Sequence, residues 1–334
     1  MNEMYRNKKI LIIGGTGTIG QHLLKHLLEK EPAVIRIFSR DEHKQFELQQ
    51  KYSNHDNIRF LIGDIRDYDR LVRAMEGVDF VFHTAAMKHV PSCEYNPFEA
   101  VQTNIIGTQN VIQAALYCGV SKVLFTSTDK AIAPTNTYGA SKLTAERLIS
   151  SAQYHKGEKP TILFSVRFGN VMGSRGSVIP LFKSQIREKK DLSITDPEMV
   201  RYMMTPSQAI SLMLEAMAIA QGGEVFVLKM PVIKLSDLAE VIIEETSKSE
   251  TISHTVSMRT VGLRPGEKMY EELMTSDESR NAFELDAMYI IPPAFAQKPY
   301  DEKGYSRLKD IQFQMGKPIG KEILRDWLIT EGLV

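Results

Sequence analysis

The sequence predicts an α/β protein: a parallel sheet covered by helices on both faces, followed by a smaller C-terminal region of different texture. Three observations carry this. Short apolar runs alternate with helical patterns through the first half of the chain, the first run leads into GGTGTIG, and past Arg167 the pattern gives way to glycine-rich and polar segments. Strands buried on both faces read as near-continuous apolar runs, and their alternation with helices marks a parallel sheet.

The elements follow in order. KILII is the first strand, and the helix after it carries Ile19, Leu23, Leu24, Leu27 and Leu28 on one face. VIRIF is a second strand, running to Ser39; NIRFLIG is a third and VDFVFHTA a fourth. Asn104 to Ala115 continues the helical pattern, KVLFTST is strand five and TILFSVR strand six. FGNVMGSRGSVIP then introduces helices over Val178–Arg187 and Pro206–Ala220, a strand in EVFVLK, a helix from Leu235 and a closing helix in IGKEILRDWLITEGL. The expected division is 1–167 for the first domain and 168–334 for the second, with room for later segments to return to the first sheet. There is no internal repeat and no low-complexity linker.

Composition limits the partners. Of the 334 residues 43% are hydrophobic and 25% charged, and 41 Lys and Arg offset 41 Asp and Glu. A neutral chain has no bulk attraction for nucleic acid or an acidic membrane. No apolar run is long enough to span a bilayer and no secretory signal is read, so the expected location is the cytoplasm. Cys93 and Cys118 read as reduced thiols, with a disulfide left open.

The strand–glycine–helix signal predicts a Rossmann-like dinucleotide site. Gly14, Gly17 and Gly20 are spaced G-x-x-G-x-x-G, and Thr16, Thr18 and Ile19 complete the lining of that turn. Small residues let the backbone pass beneath a pyrophosphate, and the helix N-terminus offers unpaired N–H groups. At the end of strand two the run SRDEHK supplies Ser39, Arg40 and Lys44. A guanidinium fork suits a 2′-phosphate, which predicts NADP, although Asp41 also makes a reasonable helix cap. Asp64 and Ile65 follow strand three and face the adenine; Thr84 and Ala85 follow strand four and keep the path beside the nicotinamide narrow.

The stretch STDKAIAPTNTYGASK holds the reactive candidates. Tyr138 and Lys142 lie one helical turn apart. A free tyrosine titrates near pH ~10, and a neighbouring ammonium makes it a usable base. Thr128 can donate to a substrate oxygen. Asp129 and Lys130 make sense if Tyr138 first assists oxidation of a sugar C4 hydroxyl. The C4 ketone acidifies the C5 hydrogen, a base takes it, and an acid protonates the C6 hydroxyl as it leaves. For this Lys130 needs a lowered pKa and Asp129 a raised one. An ion pair that merely closes a loop explains the adjacency equally well.

GGTGTIG, STDKA, YGASK, RFGNVMGSRGSVIP and GLRPGEK together resemble the extended short-chain dehydrogenase/reductase family. More narrowly the chain is similar, over roughly residues 8–330, to the soluble C5-inverting UDP-N-acetylglucosamine 4,6-dehydratases of pseudaminic-acid-type pathways. The resemblance implies catalytic roles for Thr128, Asp129, Lys130, Tyr138 and Lys142. It implies UDP-N-acetylglucosamine as substrate and a 4-keto-6-deoxy product of L-arabino configuration. Ordinary 4,6-dehydratases carry Asp-Glu where this chain has Asp129-Lys130, and some close relatives replace the tyrosine by methionine.

The resemblance also implies a substrate side made of Lys88, Asn170, Arg175, Ser177, Val178, Thr195, Met199, Arg201 and Arg259, with Asn104 as a structural asparagine. Arg264 and Glu267 are expected to brace the RPGEK loop. His83, His89 and His254 lack a metal-ligand pattern, so no metal is expected. Met203 and Met204 read as core, and Trp327 as a buried anchor. Family members of this kind form homo-oligomers, dimers or hexamers. A UDP-sugar C4 epimerase, which needs the same Tyr/Lys oxidation, and a noncatalytic NADP-sensing protein are the rival readings.

Overall fold

The computed structural model describes residues 2–249, 256–263, 266–295, 300, 304–308 and 315–334; Arg264 and His254 lie outside them. The strands are β1 Lys9–Ile13, β2 Val34–Ser39, β3 Ile58–Ile62, β4 Phe80–His83, β5 Lys122–Thr128, β6 Ile162–Phe168, β7 Asn170–Val171, β8 Leu192–Ile194, β9 Val200–Met204, β10 Val225–Leu228, β11 Val232–Lys234, β12 Met258–Thr260, β13 Phe283–Glu284, β14 Met288–Ile291 and β15 Ser306–Arg307.

Ten of them form one sheet in the order β15-β13-β14-β10-β6-β5-β4-β1-β2-β3. From β3 across to β10 all neighbours are parallel, and β14, β13 and β15 add an antiparallel edge. The two faces can be read along β1. Ile10 and Ile12 join one core with Leu23, Leu24 and Leu27, while Leu11 and Ile13 join another with Val111, Ile112 and Ile149. An uninterrupted apolar strand is thus required, because alternate residues feed cores on opposite sides.

The chain runs outward from β1 to β2 and β3, then returns to β4 on the other side of β1. Such a reversal opens a crevice at the carboxyl ends of the strands, where ligands bind in open α/β sheets. Gly14, Ser39, Thr84, Thr128 and Phe168 all stand at those ends.

The later chain contributes β10, β13, β14 and β15 to the large sheet and also builds smaller layers. These are the sheet β11-β9-β7 and the pair β12-β8. A third core, with Phe182, Ile186, Leu238, Val241, Leu324 and Leu328, joins the helices Val178–Arg187, Leu235–Ser249 and Lys321–Thr330. Met203 and Met204 are buried, whereas Trp327 is only half-buried against this core. The expected helix around Asn104 begins as a π-helical segment, Val101–Ile106, before Gly107–Cys118. Nothing in the hydrophobic period announces that wider turn.

Candidate active site

A cavity of about 1060 Å³ runs along the crevice. Its floor is the glycine-rich turn. Gly14 has φ +82°, and a Cβ there would fall 2.8 Å from the Ala85 backbone nitrogen; at Gly20 it would fall 2.5 Å from Gly15 Cα. The backbone alone therefore shapes this wall. The helix Thr18–Leu28 starts at Gly17 with no side chain capping its first turn, which leaves an N-terminus suited to a pyrophosphate. The turn thus fits a dinucleotide, and Thr16, Thr18, Ile19, Asp64, Ile65 and Thr84 line the same cavity.

At the adenosine end carboxylates stand among the cations expected to cradle a 2′-phosphate, and Asp64 is itself paired with Arg66 at 2.8 Å. Lys44 binds the Asp41 carboxylate, Arg40 stands 3.8 Å from Asp64, and Ser39 Oγ accepts from Gln45. Asp41 also caps the helix Glu42–Lys51 by accepting from Lys44 N.

Opposite the turn, Arg175 crosses to it. Its Nη2 donates to the Thr16 carbonyl at 2.9 Å and its backbone N–H to Thr18 Oγ1 at 3.3 Å. Ser177 Oγ is buried without a hydrogen-bond partner and lines the cavity. Lys88 lines it too; burial, helped by the Arg175 charge, draws its ammonium below the usual lysine range.

The reactive end is built by the turn Asp129–Ala131 after β5 and the helix Thr137–His155. Asn136 caps that helix, its Oδ1 accepting from Gly139 N at 2.8 Å. Asn104 holds the neighbouring loop through the N–H and carbonyl of Met87 and donates to Ser141 Oγ, as a structural asparagine should. Thr128 Oγ1 donates to Asp129 Oδ1 at 2.9 Å, and Lys130 Nζ donates to the same oxygen at 3.1 Å. Thr128, Lys130 and Tyr138 line the large cavity.

Asp129 and Lys130 are also part of a second cavity of about 170 Å³, reached through Lys130 and Asn170, which line both. Here stands Glu271, which sequence reasoning missed. Its Oε1 lies 2.9 Å from Lys130 Nζ and 3.5 Å from Arg201 Nε, and its Oε2 accepts from Asn170 Nδ2 at 3.3 Å. The only signal in the sequence is its place three residues after Lys268 in the GLRPGEK run.

The electrostatics differ from expectation in part. Burial, reinforced by Glu271, pushes the Asp129 carboxyl up to about 7, the direction an acid requires. Burial alone would lower Lys130, but Asp129 and Glu271 outweigh it and hold the ammonium above the usual lysine range, opposite to a free base. Tyr138 is pushed up to about 12 by burial, which outweighs the favourable Lys130 charge. Lys142 is buried with Nζ 4.0 Å from the Phe125 ring centre, and burial lowers it to about 7.

Other expected residues are elsewhere. Arg201 is fixed by the carbonyls of Lys268 and Met269 and lines only the smaller cavity. Val178, Thr195, Met199 and Arg259 line neither cavity: Met199 is in the third core and Arg259 is exposed on β12. Among the described residues no three His, Cys, Asp or Glu side chains converge as a metal site, and no helix is long and apolar enough to cross a membrane.

A family model described as polysaccharide biosynthesis protein matches residues 10–293. The chain belongs to that family. The chain is 44% identical to the UDP-N-acetylglucosamine 4,6-dehydratase (inverting) of Campylobacter jejuni serotype O:2, covering 89% of this chain and 87% of that one. It is 43% identical to the UDP-glucose 4-epimerase of Rickettsia bellii, covering 98% and 97%. The crystal structure of Pen from Bacillus thuringiensis superposes with a TM-score of 0.90 at 56% identity, over 98% of this chain and 99% of that one. This family member is a nucleotide-sugar-modifying, NAD(P)-dependent enzyme of the extended short-chain dehydrogenase/reductase superfamily.

The expectation of NADP is corrected. Solved structures of this fold hold NAD: the dTDP-glucose 4,6-dehydratase of Streptomyces venezuelae, the UDP-glucose 4-epimerase of Thermus thermophilus and the UDP-glucuronic acid 4-epimerase of Bacillus cereus, with TM-scores of 0.69, 0.61 and 0.68. The physical reason is visible at the adenosine end. Lys44 is bound by Asp41, and Asp64, itself paired with Arg66 at 2.8 Å, stands 3.8 Å from Arg40, so carboxylates border the place a 2′-phosphate would take.

Proposed function

We propose that the protein uses NAD to act on a UDP-sugar, with UDP-N-acetylglucosamine as the leading substrate. The reaction passes through a C4 ketone, eliminates water across C5 and C6, and inverts C5. The observation that carries this is the buried Asp129–Lys130–Glu271 cluster beside Tyr138. C4 oxidation alone has no use for a second proton-handling group.

The cofactor would lie along Gly14–Gly20, Asp64 and Thr84, and its nicotinamide supplies the acceptance and return of hydride. Tyr138 takes the proton of the C4 hydroxyl, and Thr128 orients that oxygen. Burial pushes the phenol up, so deprotonation draws on the positive charge of Lys130. Asp129 gives its proton to the C6 hydroxyl as the C–O bond breaks and water leaves. As that proton leaves one Asp129 oxygen, the carboxylate takes the C5 proton on the other, so Asp129 regains its starting state. With hydride returned to C6, the resulting C4 enolate is protonated at C5 on the opposite face by the Tyr138 phenol, which had gained a proton from the C4 hydroxyl. Lys130, held as a cation, stabilises negative charge building on the sugar. Lys88, Asn170, Arg175 and Ser177 bind the nucleotide-sugar side.

C4 epimerisation is the second reading, and the comparisons lean toward it. UDP-glucose 4-epimerases from five Rickettsia species match 98% of this chain, against 87–89% for the two inverting dehydratases. An epimerase needs the Tyr138 step and none at C5. Incubation with UDP-N-acetylglucosamine and NAD followed by mass spectrometry separates the two. Loss of one water supports dehydration; an unchanged mass with altered C4 configuration selects epimerisation and rejects the leading reading.

A further inference from the structure

Two carboxylates and one ammonium share a buried space next to the sugar cavity. Asp129 is 2% and Glu271 6% exposed. Their partners are unequal. Asp129 Oδ1 receives Lys130 and the Thr128 hydroxyl, while no N–H or hydroxyl reaches its buried Oδ2; the carboxyl instead stands against that of Glu271, in a hydrogen bond that requires a proton on one of the two. Glu271 receives Lys130, the Arg201 guanidinium and the Asn170 amide, the first at 2.9 Å. Two like charges around one cation cannot both be cheaply ionised, so the better-served carboxylate takes the charge. We infer that Glu271 is a positioning residue that decides where the proton of this cluster resides: it holds Lys130 as an ammonium and leaves Asp129 as the partner that carries the proton.

The placement fits a residue acting through its neighbours. Glu271 lines the smaller cavity and not the larger one, whereas Lys130 lines both. The segment bearing it is anchored from behind, because Arg167 donates to the Leu273 carbonyl at 3.0 Å while pairing with Glu146. In front, Lys268 Nζ donates to the Ile132 carbonyl at 2.9 Å, and Asn136 Nδ2 donates to the Gly266 carbonyl at 3.0 Å. The charged and titratable groups around the pair are Lys130 on its own turn, Tyr138 on the helix Thr137–His155, Arg201 and Tyr202 on β9, and Glu267, Lys268 and Glu272 on the loop. Arg201 is tied to Glu271 and not to Asp129, which supports the same division of charge. The catalytic consequence rests on the proposed use of Asp129 as acid for the leaving hydroxyl; the location of the proton does not.

The experiment therefore has two arms, with melting temperatures recorded for every variant. In the first, infrared spectroscopy of the substrate-free protein follows the protonated-carboxyl band through pH, with Asp129→Asn identifying the Asp129 contribution. Glu271→Gln keeps the shape but removes the charge, so the Asp129 band should vanish at a lower pH than in the parent. Glu271→Met, a second charge-free side chain of similar length, should do the same, and Glu271→Asp should stay near the parent. In the second arm, the alkaline limb of water loss should move to lower pH in Glu271→Gln, and each unit moved is about a tenfold loss of rate above the limb. Formation of reduced nicotinamide in a single turnover should persist. An Asp129 band that stays at the parental pH in folded charge-free variants overturns the inference, as does the absence of any Asp129-dependent band in the parent. If the band moves as expected but the parent turns sugars over without loss of water, the inference stands and the dehydratase reading falls.

Discussion

A Cβ placed on Gly139 would fall 2.1 Å from the carbonyl oxygen of Lys130 and 3.1 Å from Pro134 Cβ. The helix that carries Tyr138 thus packs directly on the backbone of the turn that carries Asp129 and Lys130, and the glycine in YGASK permits it.

Gly139→Ala is therefore expected to displace the Lys130 turn and to destabilise the fold by about 1–3 kcal/mol. Thermal unfolding and turnover should both fall. A variant with parental melting temperature and full activity would show that the contact is slack.

Tyr138→Phe should retain the fold and cofactor binding and lose turnover by roughly 10²–10⁴-fold. The loss should precede any reduced nicotinamide, because the phenol handles the first proton. Single-turnover absorbance of the cofactor checks this; a normal burst of reduced cofactor would move the first base elsewhere.

Lys142 makes a pH prediction. Its folded pKa is lowered to about 7 from 10.5 by burial, against a smaller opposing pull from Glu146. Between those values the unfolded chain binds the proton and the native chain does not. Parental stability should accordingly rise with pH across this window, by at most ~1.4 kcal/mol per unit from this group. Lys142→Met should flatten that slope and be the more stable protein near pH 7, the advantage fading toward pH 10.5. Chemical denaturation at several pH values measures it, and parallel slopes in parent and variant would remove the assignment.

Arg175→Ala should weaken both the dinucleotide and the nucleotide sugar, because its guanidinium donates to the Thr16 carbonyl of the glycine-rich turn and lines the cavity proposed to hold both; the bond to Thr18, made by the backbone N–H, should survive. A lost charged hydrogen bond is worth about 1.5–3 kcal/mol. Calorimetry with each ligand tests it; unchanged affinity for NAD would confine Arg175 to the sugar side.

Asn104→Leu should cost about 1–3 kcal/mol for each Met87 backbone group it leaves unpaired. The loop bearing Lys88 should loosen with it, raising the Michaelis constant for the sugar. An unaltered melting temperature would show that other groups satisfy Met87.

Local chemistry was legible in the chain itself. KILII followed by GGTGTIG determined a doubly covered strand and a turn with room only for backbone, because strand period and glycine crowding are properties of neighbouring residues. Tyr138, one turn before Lys142, likewise placed both side chains at the start of one helix. Partnership across long separations was decided only by the tertiary structure. Glu271 meets Lys130 across the sheet-to-loop packing and joins Asp129 in holding its ammonium above the usual lysine range. Arg40 looked like part of a phosphate cradle until folding brought Asp64, itself paired with Arg66, to 3.8 Å from it. Arg201 was expected on the substrate side, and folding sets it against the carbonyls of Lys268 and Met269 and 3.5 Å from Glu271. The reason is the same in each case: a charge acts through whatever lies within a few ångströms in a desolvated space, and that neighbour is chosen by the packing of distant segments.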